Sequence, residues 1–281
     1  MTERILTENT IRNFKVYLMS EEKSKNTIEK YLRDVTAFMV FVSGCTITKD
    51  KVIEYKTKLI SENYAVRSIN SMLASLNSLF EYLNWNDLKV KSIKLQHQIY
   101  CPEEKELTKA EYMRLVNTAG QKGNERLSLL IQTICATGIR VSELRSSMVE
   151  AARRGQAVVS LKGKTRSVFI VRELQRKILR YAAEQNITTG AVFITRNGKP
   201  MSRTNIWREM KNLCEQAGVN PQKVFPHNLR HLFARTFYGI EKDIAKLADI
   251  LGHSSINTTR IYIITTGNEH RKQLENMRLT I

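Results

Sequence analysis

Apolar residues recur at helical spacing over residues 8–20 (Ile11, Phe14, Val16, Leu18) and 26–42 (Ile28, Tyr31, Leu32, Val35, Phe38, Met39), tracing one face of a 3.6-residue period. The period continues through 50–62 (Val52, Ile53, Tyr55, Leu59, Ile60) and 65–84 (Val66, Ile69, Met72, Leu73, Leu76, Leu79, Phe80, Leu83). Asn26-Thr27, after the polar run Glu21–Lys25, predicts a helix start. Four helices in this space predict a compact all-α unit over 1–88, with the apolar stripes as its core. Periodicity is lost over 86–106, where lysines mix with Pro102, Glu103 and Glu104. Residues 89–106 therefore read as an interdomain linker.

Past the linker, Thr108-Lys109-Ala110-Glu111 has the spacing of a capping box and predicts a helix to about Ala119. A buried helix follows over 125–136 (Leu127, Leu129, Leu130, Ile131, Ile134), stopped by Gly138. Alternation then replaces the helical period in Ala157–Leu161 and Ser167–Val171, a hairpin looped by Lys162–Arg166. Helical patterns return over 173–185 and 202–217, separated by the turn Asn197-Gly198-Lys199-Pro200. Residues 107–281 thus read as a mixed α/β domain, mostly helical with one small antiparallel sheet, and the chain as mainly α. At 281 residues it is long enough for two domains with separate cores.

The formal net charge of +18 points to a polyanionic partner, since clustered Lys and Arg steer phosphate backbones and release their counterions. The excess is uneven. Residues 1–95 hold 15 Lys+Arg against 11 Asp+Glu, the remainder 30 against 16. Cys45, Cys101, Cys135 and Cys214 are scattered without a C-x-x-C pair, which suits a reducing compartment. With no apolar signal core and no apolar run of about 18 residues, the expectation is a cytoplasmic protein with no membrane partner.

Candidate chemistry gathers near the C-terminus. His227-Asn228-Leu229-Arg230-His231 precedes Leu251-Gly252-His253, and Tyr262 lies nine residues past His253. Arginine clamps phosphate oxygens through a planar, always-charged fork. Histidine exchanges protons near neutrality, and an activated tyrosine can serve as a covalent nucleophile. Three of the five histidines fall in this series. His227 and His231 also have the i, i+4 spacing of zinc ligands, but no acid lies between them and Arg230 would repel a dication, so neither metal nor cofactor is expected. Arg140, just past Gly138, could be a surface partner of Glu143 three residues on or a phosphate ligand oriented by it.

Three ordered motifs carry a resemblance to the tyrosine recombinases of the phage integrase family. Ala136-Thr137-Gly138-Ile139-Arg140-Val141-Ser142-Glu143-Leu144 resembles the first conserved box of that family. Leu161-Lys162-Gly163-Lys164-Thr165-Arg166 resembles its lysine-bearing hairpin, one residue short in the turn. His227–His231, Leu251–Ser254 and Thr258-Thr259-Arg260-Ile261-Tyr262 resemble its second box, with Ile263-Ile264 where the family often has Thr-His. In the N-terminal unit, the Ser24, Thr27, Tyr31, Asp34, Phe38 pattern is similar to the family's four-helix, SAM-like core-binding domain.

The resemblance implies a catalytic set of Arg140, Lys162, His227, Arg230, His253 and the nucleophile Tyr262. Glu143 and His231 would support it from behind, and Lys164 is the alternative lysine. It implies cleavage and rejoining of double-stranded DNA at a specific recombination site through a 3′-phosphotyrosyl intermediate, without a cofactor. The assembly it implies is a homotetramer on DNA, or a heterotetramer with a related recombinase, with a tail helix from about residue 268 docking on a neighbour. The competing readings are relaxation of DNA in the manner of a type IB topoisomerase, and a DNA-binding regulator descended from a recombinase.

Overall fold

A computed structural model describes residues 4–94, 103–161, 164–262 and 275–276. The chain divides into two compact units, Met1–His97 and Gln98–Ile281.

The first unit is built from α1 (Glu8–Ser20), α2 (Lys25–Val42), α3 (Lys49–Ser61) and α4 (Val66–Tyr82). The second helix starts earlier than Asn26-Thr27, because the Ser24 side chain accepts a hydrogen bond from the Thr27 amide and so caps it. Phe14, Leu18, Val35, Phe38, Leu76 and Phe80 are fully buried at the centre. Asp34 is also buried, and it is satisfied by Lys30 at 2.7 Å and by the Ser75 hydroxyl at 2.8 Å. The aperiodic residues that follow are pinned by side chains of α4. The Asn77 amide group exchanges hydrogen bonds with Val90 N and O at 3.0 and 2.9 Å, and Asn70 does the same with Ile93 at 2.8 and 2.9 Å. Backbone groups satisfied by asparagine side chains leave no hydrophobic period to read.

The second unit runs α5 (Lys109–Gln121), α6 (Glu125–Thr137), a 3₁₀ segment Val141–Ser146, α7 (Val149–Arg154), β1 (Gln156–Leu161), β2 (Lys164–Phe169), α8 (Arg172–Glu184), α9 (Arg203–Cys214), α10 (Pro226–Glu241), α11 (Ile244–Leu251) and α12 (Ile256–Arg260). Thr108 and Glu111 form the expected capping box at α5. Leu129, Leu130, Ile131 and Ile134 of α6 are all buried, placing this helix inside a core shared with α5, α8, α9 and α10.

The two strands pair antiparallel from Gln156↔Phe169 to Leu161↔Lys164. The loop is therefore shorter than the sequence pattern implies, and Lys164, Thr165 and Arg166 belong to β2. Their polar character hid the strand, since a hairpin tip can extend past the core without apolar residues. Lys162 and most of the tail from about residue 268 lie outside the described residues. Among the described residues no helix is long and apolar enough to cross a membrane.

Candidate active site

The site is organised by the C-terminal end of α11. A helix end leaves its last carbonyls without intrahelical partners, and their partial negative charge attracts cations. Here three consecutive carbonyls receive three arginines from three different parts of the fold. Arg166 Nη1 donates to Ile250 O at 2.7 Å, Arg230 Nη2 to Leu251 O at 2.6 Å, and Arg140 Nη2 to Gly252 O at 3.2 Å. Gly252 ends the helix with φ +63°, a left-handed conformation that glycine adopts without steric cost. His253 follows directly.

Arg140 stands where α6 has just ended at Gly138, also left-handed at φ +62°. A β-carbon at Gly138 would lie 2.5 Å from the Phe233 ring of α10, so close packing as well as backbone conformation demands glycine. Glu143 turns back onto Arg140 twice, accepting from its backbone N–H and from Nη1, both at 2.9 Å. Glu143 Oε2, which takes the Arg140 amide, also accepts from Arg166 Nη2 at 2.8 Å. This carboxylate is only 3% exposed. Burial would raise its pKa, but the Arg140 amide and the Arg166 and Arg140 guanidiniums together hold it below the usual carboxylate range.

Arg230 and the two nearby histidines ride on α10, which begins with Pro226 at its first turn. Arg230 is 1% exposed. Its Nη1 donates to Gly138 O, and its Nη2 reaches His253 Nε2 at 3.0 Å as well as Leu251 O. Burial first, and then the neighbouring Arg140, lower its pKa to about 10. Because a guanidinium can only donate, His253 Nε2 accepts, so its proton sits on Nδ1. Nδ1 then donates to the Thr259 hydroxyl at 2.9 Å, a residue that is completely buried. Burial, reinforced by Arg230 and Arg140, lowers the His253 pKa to about 4.

Tyr262 closes the site. It is 6% exposed, and its ring lies 4.2 Å from His231 (17° between planes), 5.1 Å from His253 and 5.2 Å from His227, measured between centroids. The Arg230 guanidinium carbon is 5.9 Å from the same ring. His231 is driven down to about pKa 4 by burial, then by His227 and Arg230. His227 is exposed, yet partial desolvation followed by the charges of Arg230, Arg140 and Arg203 lowers its pKa too. At neutral pH all three rings are thus neutral, and the positive charge resides in the arginines.

The structure brings together Arg140, Glu143, His227, Arg230, His231, His253 and Tyr262. Lys162 lies outside the described residues, and of Lys164 the backbone pairing with Leu161 is described. Two residues to which the sequence reading gave no role stand in the same network, Arg166 and Thr259. Period-two parity could have flagged the first: Arg166 shares a strand face with Val168 and Ile170, which are both buried. Thr259 carries no comparable signal, because its partner His253 is on a different element.

A tyrosine packed against three histidines and an arginine, in a mostly helical domain with a small hairpin, defines a phosphoryl-transfer enzyme of the tyrosine recombinase type. Residues 105–269 match the model of the phage integrase family, and residues 11–87 match that of the phage integrase N-terminal SAM-like domain. The chain belongs to the phage integrase family. It is 28% identical over 288 residues to the tyrosine recombinase XerA of Pyrococcus furiosus, covering 99% of this chain and 97% of that one. Identity to the tyrosine recombinase XerD of Vibrio cholerae is 27% over 274 residues, covering 90% of each. Among solved structures, a lambda integrase (75–356) dimer bound to a COC′ core site is similar in fold at a TM-score of 0.75 and 17% identity, over 94% of this chain and 96% of that one. The Tn1549 transposon integrase with circular intermediate DNA gives 0.72 at 17%, over 95% and 99%.

Proposed function

We propose that this enzyme cleaves and rejoins double-stranded DNA at a specific site, with Tyr262 as nucleophile. The observation that carries the reading is the packing of one buried tyrosine against His227, His231, His253 and Arg230. The Tyr262 phenolic oxygen forms a bond to the scissile phosphorus while the bond to the 5′ oxygen breaks, giving a 3′-phosphotyrosine. The phenolic proton passes to a neutral histidine, for which the exposed His227 is suited. Lys162 protonates the leaving 5′ oxygen, with Lys164 as the alternative. Arg140 and Arg230 hold the non-bridging oxygens as charge develops, preorganised electrostatics of the kind that dominates such barriers. His253 joins them as a donor once its proton moves to Nε2, with the Thr259 hydroxyl then donating to Nδ1, and Nε2 exchanges Arg230 for a phosphate oxygen. Attack by a 5′-hydroxyl of a partner duplex reverses the step, conserving bond energy without a nucleotide cofactor.

Four subunits on DNA, identical or paired with a related recombinase, supply the two duplexes, with the tail from about residue 268 docking on a neighbour. The protein works in the cytoplasm. Trapping on a nicked suicide duplex tests the core of the reading. Wild type should form a covalent adduct, while Tyr262→Phe should form none and bind the same DNA with nearly unchanged affinity. An adduct that survives the substitution overturns the assignment.

A further inference from the structure

Arg166 has both terminal nitrogens committed, one to Glu143 at 2.8 Å and one to Ile250 O at 2.7 Å, and its side chain is 12% exposed. It passes so close over Gly252 that a β-carbon there would stand 2.7 Å from its Nε. No other described residue joins the hairpin, the carboxylate behind Arg140, and the helix end before His253. Of the three arginines on α11, Arg230 touches the Tyr262 ring and Arg140 is the most exposed, at 27%. Arg166 instead gives one terminal nitrogen to the carboxylate that holds Arg140 and the other to the carbonyl two residues before Gly252.

We infer that Arg166 is a positioning residue for the phosphate clamp: through Glu143 it fixes the fork of Arg140, and through Ile250 O it fixes the turn that presents His253. The inference rests on the proposed phosphotyrosine chemistry and extends it to a residue that need not touch DNA. The geometry follows from three requirements. A buried carboxylate with one guanidinium removed is left half-compensated. A freed carboxylate would then be able to draw Arg140 away from the phosphate. The helix-end carbonyls would lose one of three cations, and the Gly252 turn would lose the side chain packed over it.

The test is single-turnover adduct formation on the suicide duplex by full-length Arg166→Gln and Arg166→Lys. Arg166→Gln should slow cleavage by roughly 10–100-fold, the range typical when a residue orienting a functional group is removed, with the half-saturating DNA concentration little changed. Arg166→Lys keeps the charge against Glu143 and should recover part of the loss. A double variant, Arg140→Ala with Arg166→Gln, should lose clearly less than the product of the two single losses, because the part of the Arg166 effect that runs through Arg140 has nothing left to position.

Multiplying losses in the double variant, an unchanged rate in Arg166→Gln, or a defect confined to DNA affinity would each overturn the inference. So would full recovery of Arg166→Gln on a substrate with a 5′-bridging sulfur, which would place its effect on leaving-group protonation. Should Arg166→Gln not fold, Arg166→Lys in the same double-variant comparison carries the test. A wild-type enzyme that forms no adduct would count against the phosphotyrosine reading itself and not against the role of Arg166.

Discussion

The ring of His231 stacks on the ring of Tyr262 at 4.2 Å with 17° between their planes. One turn earlier on α10, His227 meets the same tyrosine edge-on, at 66°. A stacked, half-buried imidazole is a poor site for a proton, and desolvation together with His227 and Arg230 lowers the His231 pKa to about 4. His253 is lowered to about 4 by burial and by Arg230.

The sign of the pH dependence follows. A histidine free in the unfolded chain takes up a proton near pH 6.5, while these two remain neutral in the folded state. Between about pH 6.5 and pH 4 the unfolded state binds more protons, so acid favours unfolding. We predict that the thermal midpoint falls steadily as pH drops through that window and is flat above it. His231→Phe keeps a ring for the stack but no titrating nitrogen, so its midpoint should fall less steeply. Equal slopes would show that His231 is not held neutral.

Much of this architecture was legible in the sequence because hydrophobic period and motif spacing are local. The helix end at Gly138 read correctly, since a glycine stop needs only its neighbours. What was hidden is what depends on distant partners. The extension of β2 back to Lys164 leaves no apolar trace, and the hydrogen bonds of Asn70 and Asn77 to Val90 and Ile93 replace a pattern with side-chain contacts. At the site, the side chains of the motifs could be named from their order. The convergence of Arg166, Arg230 and Arg140 on Ile250, Leu251 and Gly252 could not, because it joins residues 21 to 112 positions apart.

Thr259 offers a sharper test of how His253 is held. Its buried hydroxyl accepts the His253 Nδ1 proton and can equally rotate to donate, so it supports either tautomer. Thr259→Val removes this while preserving shape, leaving Nδ1–H unpaired at a cost of about 1–3 kcal/mol. We predict slower adduct formation and lower stability for Thr259→Val, and near-normal behaviour for Thr259→Ser. If Thr259→Val cleaves as fast as wild type, the orientation of His253 is set elsewhere.

Charge for the phosphorane can come from guanidiniums where many phosphoryl-transfer enzymes use a divalent cation. Arg140 and Arg230, backed by Arg166, supply fixed positive charge at one helix end. Cleavage and religation are therefore expected to proceed in EDTA at the rate seen with magnesium. Adduct formation that disappears in EDTA and returns with magnesium would count decisively against this mechanism.

The proposed chemistry has a hairpin lysine protonate the leaving 5′ oxygen, and two candidates, Lys162 and Lys164, can be told apart. The ladder closes with Leu161 opposite Lys164. We predict that Lys162→Ala slows cleavage of an ordinary phosphodiester by about 10²–10⁴-fold, the usual worth of a positioned general acid. A 5′-bridging sulfur leaves as a thiolate without needing a proton, so that substrate should restore the variant. Lys164→Ala should show a smaller defect, chiefly in DNA affinity and its salt dependence, and sulfur should not restore it. Restoration of Lys164→Ala but not of Lys162→Ala would transfer the role to Lys164, and with it the position of the missing turn residue in the Lys162-Gly163-Lys164 segment.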